Sequence, residues 1–547
     1  IDPVSFLCYY VIDLKEHITK HTGPSVPMKM AFQQIFIRNL MRKVIEEQLE
    51  LGEVDISTIQ FDLQSRDEIP KLLRGLQYIY SHPDLRSMVF DILEDLTPPH
   101  VDPNTGRRGM DYWQILVLGT LRLACNFDYD KLKELADQHI TVRLMMGHSL
   151  FDGDLLYPLQ TVKDNVSLLT PAVLDRINHC VVEYGHGLLS KSESDCFHAR
   201  CDSFVVETNV HYPTDINLLL DAMRKVITLL STVCAKEGVS DWRQSEHNKR
   251  RIKKSYRRAQ TLKRSTSKDP KKKAQKEQAI CEAHLAYLQT ASSFLQKAET
   301  TLEKLRSCSS IGTIGTIIEI ENYMGHARRQ IEQIHRRVIK GEKIEHDEKV
   351  FSIFEEHTEW ISKGKAGVPQ ELGLKVCIIE DQYGFILHHR VMKQQNDVDI
   401  AVPIIQEAKS LFPNLTGCSF DKGFYSLENV KELSNILDHT VLPKKGRQTQ
   451  QQREHELSDE FIKARHQHSA VESAINALEN HSLDRCPDRG LDAFERYISL
   501  AVLSRNIQIM GHILQQKELR REKRKQKYRQ TWENNRKKTG QQPAEAA

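Results

Sequence analysis

The chain has 547 residues, 39% hydrophobic and 28% charged, a globular composition too long for one hydrophobic core. No apolar run reaches the roughly 18 residues of a membrane-spanning helix, and Phe6–Ile12 lacks the basic start and small-residue cleavage site of a signal peptide. The net charge is only +3, so no strong overall polarity defines a partner, but the cations are unevenly placed.

In chain order, Met28 is the first methionine and opens a helical stretch; residues 1–27 read as a leader, either read through from an upstream frame or a non-native remnant. Helical spacing continues through Ile35, Ile37, Leu40, Met41 and Ile45, then Leu72, Leu73, Leu76 and Tyr80. Pro98 and Pro99 break it, and Pro-Asn-Thr-Gly at 103–106 reads as a turn. A helix over 112–125, then short periodic runs to Met146, fit either a helix-turn-helix or a small helical bundle. Residues 28–190 are therefore expected to be an all-α region, DNA-binding if the helix-turn-helix reading holds and without DNA contact if the bundle reading does.

From Phe197 the texture turns to β-formers: Phe204, Val205, Val206, Thr208 and Val210. Residues 215–345 are helical again, apart from a β-branched run at Ile311–Ile320. Strands are expected at Phe351–Ile361, then in a hairpin from Leu374–Ile379 to Phe385–Val391 turning through Asp381 and Gly384. A helix over 398–411, a strand ending at Phe420, a helix from about Ser426, a short strand at Val441–Leu442 and a helix carrying Ala470–Leu478 follow. Strands alternating with helices imply a mixed α/β sheet. The sheet unit spans 191–500, the 215–345 stretch is an insertion in it, and 501–547 form a C-terminal helix and basic tail.

Eleven cysteines include no Cys-x-x-Cys pair; the closest, Cys196 and Cys201, match no zinc module, and the histidines lack zinc spacing. Reduced structural thiols of a cytosolic protein are expected. From His247 to Lys273, thirteen of twenty-seven residues are Lys or Arg and one is acidic. Lys249, Arg250, Arg251, Lys253, Lys254, Arg257 and Arg258 form its densest part. Such clustering suits phosphate, which acts over about 8–10 Å in salt; the bland alternative is a solvated helix face. A second basic run lies between Arg520 and Lys538 and carries the same two readings.

Three acids stand out by context. Asp202 opens Asp202-Ser-Phe-Val-Val-Glu-Thr-Asn209, Asp421 ends a strand before Lys422-Gly423-Phe424-Tyr425, and Glu472 lies in the helical His468-Ser-Ala-Val-Glu-Ser-Ala-Ile-Asn476. Carboxylates at strand ends and on a neighbouring helix can converge on hard divalent ions, with substrate phosphate completing the coordination. Taken singly, each has an ordinary explanation as a turn, a cap or a solvated side chain. Glu207, His211 and Asp215 flank the first motif, and Asp215 is expected to cap the following helix.

From Met28 to Leu514 the chain resembles the ISNCY-type insertion-sequence transposases, bacterial DDE enzymes with a ribonuclease-H-like domain. The resemblance rests on five stretches in order: Asp202–Asp215, Phe354–Lys365, Glu380–Phe385, Ser419–Tyr425 and His468–Asn476. It implies a ribonuclease-H-like mixed sheet interrupted by a helical insertion and preceded by an all-α region. It implies Asp202, Asp421 and Glu472 as catalytic ligands of two Mg²⁺ or Mn²⁺ ions. It also implies binding of terminal inverted repeats and target double-stranded DNA, a homodimer on DNA, and a bacterial, nucleoid-associated cytoplasmic location. Related families place Tyr and Arg before the catalytic Glu and Lys after it. Here Arg465, His468 and Glu479 hold those offsets; Arg465 and His468 are expected to contact DNA phosphate, whereas Glu479 cannot replace Lys. His357, Glu359 and Trp360, beside Lys363 and Lys365, are expected DNA or flap contacts. A nuclease without strand transfer, or an inactive DNA-binding relic, would share much of this pattern.

Overall fold

The computed structural model describes residues 43–45, 49, 51–97, 109–189, 196–262, 266, 268–308, 311–362 and 370–539. The expected leader, Ile35, Ile37, Leu40, Met41, Pro98, Pro99, the turn at 103–106, and Lys363 and Lys365 lie outside these residues.

Among the described residues, seven α-helices precede the sheet: α1 (Glu68–Ser81), α2 (Pro83–Glu94), α3 (Tyr112–Ala124), α4 (Tyr129–Gln138), α5 (Ile140–Met145), α6 (Leu159–Val166) and α7 (Pro171–Gly187). Their starts follow local chemistry. Asp67, Asp128 and Thr170 accept backbone N–H bonds as N-caps, and Pro83 and Pro171 stand in first turns, where no N–H is missed. Helix α3 is buried at every position except Gln114, and Trp113 Nε1 donates to the Met145 carbonyl at 2.8 Å. A helix buried on all sides cannot enter a DNA groove, so within residues 112–146 any groove contact falls to α4 or α5.

The sheet begins with β1 (Phe197–Thr208). Four helices separate it from the next strand: α8 (Asp215–Lys236), α9 (Ser245–Thr261), α10 (Pro270–Cys308) and α11 (Ile311–Ile334). These helices close around their own core, which includes Leu219, Val226, Leu230, Tyr287, Phe294 and Ile320. The Ile311–Ile320 run is helix, not strand: Ile317 and Ile320 sit three residues apart on its buried side. Asp215 is not the cap of α8. Thr214 takes that position, accepting from Asn217 N at 3.3 Å, and Asp215 pairs with Arg337 at 2.7 Å.

The chain continues through β2 (Glu359–Ser362), β3 (Gln370–Asp381), β4 (Ile386–Met392), α12 (Asp397–Leu411), β5 (Leu415–Phe420), α13 (Leu427–Ile436) and β6 (His439–Val441). Then come α14 (Gln450–Glu456), α15 (Asp459–His468), α16 (Ala470–Leu478), β7 (Arg485–Cys486) and α17 (Leu491–Thr539). The strands expected at Phe351–Ile361 reduce to β2, because the preceding residues form turns around the buried Ile353. The fold is mixed α/β. β1, β3 and β4 form an antiparallel meander, while β5 runs parallel to β1 on its other side and β6 parallel to β5.

Helix α17 joins the two halves. It starts ten residues before 501 and packs on α1, α3, α7 and β4, so the N-terminal helices and the sheet share one core. Gly75 and Gly511 permit the crossing of α1 and α17: a Cβ on Gly511 would lie 1.9 Å from the Lys71 carbonyl oxygen. Asn506 on α17 accepts from Ile386 N at 2.9 Å and donates to Ile386 O and to Asn178 Oδ1 at 2.8 and 2.7 Å.

Candidate active site

Two of the three acids are placed by strand register. In the parallel pair β1–β5, Arg200 stands beside Ser419 and Cys201 beside Phe420. The next residues are Asp202 and Asp421, and Asp421 keeps an extended backbone at φ −75°, ψ 162°. Neighbouring strands lie about 5 Å apart and residues at one level point to one face, so the two carboxylates share a side of the sheet. The alternation on β1 fixes that side: Ala199 and Cys201 are buried, while His198, Arg200 and Asp202 are not. Beyond Cys201, β5 has ended, and β7 joins β1 only at Glu207. Asp202 therefore stands where the sheet opens beyond the carboxyl end of a parallel strand, a common place for ligands in α/β sheets.

The third acid reaches the same face on a helix. Ser419 Oγ and His468 Nδ1 share a hydrogen bond of 3.0 Å, which anchors the end of α15, and α16 packs on β1. Glu472 lies in the first turn of α16 and is exposed, as is Asp421; Asp202 is half-buried.

Electrostatics ties the three together. Burial pushes the Asp202 carboxyl up to about 6, and the charges of Asp421, Asp397 and Glu472 push in the same direction, against the Ser203 N–H bond that favours the carboxylate. Nearby cations are committed elsewhere: Arg200 to Glu380 at 2.9 Å and Lys375 to Asp397 at 3.2 Å. Burial lowers the His468 pKa, outweighing Asp421 and Glu472, so its imidazole is neutral near pH 7.

Asp397 is the site residue that sequence reasoning missed. It opens α12, accepts from Ser203 Oγ at 2.7 Å and pairs with Lys375. Ser203 and Lys375 belong to the face opposite Asp202, so Asp397 approaches β1 from behind. A Cβ on Gly423 would come 3.1 Å from Asp397 Oδ2, so Gly423 lets the turn after Asp421 pass close by. In sequence, Asp397 looked only like part of a helix start.

The cluster fits a hard divalent cation in donor type: oxygen ligands on one face, with negative charge left uncompensated on Asp202. Among the described residues no three His, Cys, Asp or Glu side chains converge tightly enough to hold an ion as they stand. Mg²⁺ needs only one or two carboxylates when phosphate oxygens and water complete its shell, so Asp202 and Asp421 suffice to start such a site.

The basic insertion forms the second candidate surface. On α9, Ile252, Tyr256 and Ala259 are buried against the insertion core, while Arg250, Arg251, Lys253, Lys254, Arg257 and Arg258 are exposed. Lys249 is half-buried and pairs with Glu246 at 2.9 Å; Arg251 lies over the Phe294 ring at 5.6 Å. Exposed Lys271, Lys272 and Lys273 follow at the start of α10, and Arg465 is exposed on α15.

The remaining polar candidates have structural partners. Glu207 pairs with Arg485 at 2.8 Å and His211 with Asp221 at 3.2 Å. His357 packs on Phe494, Glu359 accepts from Gln394 N at 2.6 Å, and Trp360 lies against Tyr212 and Phe351. All three are half-buried, so these contacts hold them beside β2 with part of each side chain at the surface. The nine described cysteines are free thiols; Cys201 and Cys377 meet at 3.4 Å in the sheet core. No helix among the described residues is long and apolar enough to cross a membrane.

No family model, curated protein or solved structure matches the chain.

Proposed function

We propose that the chain is a DDE transposase that cuts and joins DNA at Asp202, Asp421 and Glu472. The observation that carries this reading is the register of β1 and β5, which sets Asp202 beside Asp421 with Glu472 covering the same face. The strand order β4-β3-β1-β5-β6, with an antiparallel meander followed by parallel strands, supports a ribonuclease-H-like sheet.

In this reading, β1 and the Ser203 N–H orient the Asp202 carboxylate. Asp421 offers a second oxygen donor from the end of β5, and Glu472 a third from the exposed side of α16. Divalent ions held there, Mg²⁺ or Mn²⁺, would supply activation of the attacking oxygen and charge stabilisation at the leaving one. His468, neutral and fixed by Ser419, donates a hydrogen bond to a phosphate oxygen. The cations of α9, with Arg465, bind the phosphate backbone, so most of the affinity for terminal-repeat DNA comes from residues other than the carboxylates that cut it. The protein would work as a homodimer on two DNA ends, in the bacterial cytoplasm.

The test measures divalent-ion-dependent nicking, strand transfer and gel-shift affinity on the same end-sequence DNA. Asp202→Asn, Asp421→Asn and Glu472→Gln should each abolish nicking and leave affinity nearly intact; a variant that nicks like wild type removes that residue from the site. Nicking without strand transfer would make the protein a nuclease on the same scaffold.

A further inference from the structure

We infer that the end of α17 is a second DNA-binding surface, one that takes unpaired strands. The inference rests on the DNA-processing reading above. Helix α17 leaves the core after Glu518, which pairs with Arg74 on α1. Every residue from Arg520 to Asn535 is exposed, so about 24 Å of helix stands in solvent.

The charge on this segment has a face. At about 100° per residue, Lys517, Arg520, Arg521, Arg524, Lys525 and Lys527 fall within an arc of about 160°, and Lys523 and Arg529 lie about 40° beyond its two edges. Glu518, Glu522 and Glu533 fall outside it. Tyr528 and Trp532, four residues apart and 74% and 54% exposed, lie inside the cationic arc.

Cations at i, i+4, such as Arg520–Arg524 and Arg521–Lys525, repel each other and weaken an isolated helix. A polyanion would relieve that repulsion, and phosphate along a strand has the matching charge. Duplex backbone would need the cations alone. Two exposed aromatic rings among them match a strand whose bases are unstacked, because each base offers a π-face to stack on. A lipid surface is disfavoured: the face has no Leu, Ile, Val or Phe between Arg520 and Asn535 to enter the acyl layer.

The test uses the full chain in EDTA, so that binding is read without cleavage. The probes are an oligo-dT strand, a duplex of equal length and phosphatidylserine vesicles. Tyr528→Ala with Trp532→Ala should weaken oligo-dT binding about five-fold or more and leave duplex binding nearly unchanged. Arg520→Gln, Arg521→Gln, Arg524→Gln and Lys525→Gln together should weaken oligo-dT binding and flatten its salt dependence. All six positions are exposed, so unfolding temperature should hold and report intact folding. Unchanged oligo-dT affinity in both variants overturns the inference, as does equal loss on duplex in the aromatic variant, or vesicle binding that the charge variant loses while DNA binding stays. Wild-type nicking with Mg²⁺ separates the two claims. Nicking with unaffected variants defeats this inference alone, and variant-sensitive oligo-dT binding without nicking defeats the transposase reading alone.

Discussion

Asp202 is held in a state that disfavours its own charge. Its carboxyl sits near 6 against an ordinary 3.8, chiefly through burial and then through Asp421, Asp397 and Glu472. A raised acid pKa favours the protonated form in the folded chain. The resulting cost is absent below about pH 4, grows as pH rises through 6, and stays constant above it. Asp202→Asn keeps an acceptor for the Ser203 N–H and removes the charge. In EDTA it should stabilise the protein by on the order of 1–2 kcal/mol at pH 7.5, after solvent screening, and by almost nothing at pH 4. Urea melts at the two pH values check this; a loss of stability at both would mean that the carboxylate is favourably bound. Mn²⁺ should raise the melting temperature of wild type and not of Asp202→Asn, a readout that needs no turnover.

At the scale of elements, α9 divides its two tasks by face. Ile252, Tyr256 and Ala259 hold it to the insertion, and Tyr256 donates to Asn217 Oδ1 at 2.6 Å. The outward cations contribute little to folding, because exposed substitutions usually shift stability by under about 0.5 kcal/mol. Replacing Arg250, Lys253, Lys254 and Arg257 with Gln should leave the melting temperature alone. Duplex DNA affinity should fall and the salt slope should flatten by about 3. Lys249 already pairs with Glu246, so its charge is the one on this helix least available to phosphate. A salt slope equal to wild type would return α9 to an ordinary solvated face.

For the whole molecule, α17 decides whether the parts form one body. It crosses α1 where both helices carry glycine, and it pins β4 through Asn506. Gly511→Val should cost about 2–3 kcal/mol or more, since its Cβ would need the space of the Lys71 carbonyl. The loss should appear in the unfolding of the sheet as well as of the N-terminal helices, because they share a core. Denaturation followed by tryptophan fluorescence and by backbone circular dichroism measures it; a change below about 0.5 kcal/mol would show that the crossing can spread apart.

The sequence alone determined what depends on neighbours within a few residues. The hairpin from β3 to β4, the helix after Asn396, the strand ending at Phe420 and the two-sided pattern of α9 follow from periodicity, caps and turn residues. The motifs around Asp202, Asp421 and Glu472 singled out three acids among 74. Tertiary structure decided the rest. Phe351–Ile361 has strand-forming residues but finds a strand partner only at Glu359–Ser362, and Thr214 caps α8 while Asp215, one residue on, pairs with the distant Arg337. Asp397 reaches Ser203, behind Asp202, only because β3 and β4 bring it there, and α17 reaches back to α1, more than 400 residues earlier. Local patterns are written in the chain because their energies act between near neighbours. Charge crowding, register and crossing points depend on which distant residues the fold packs together, and periodicity and caps carry no record of that.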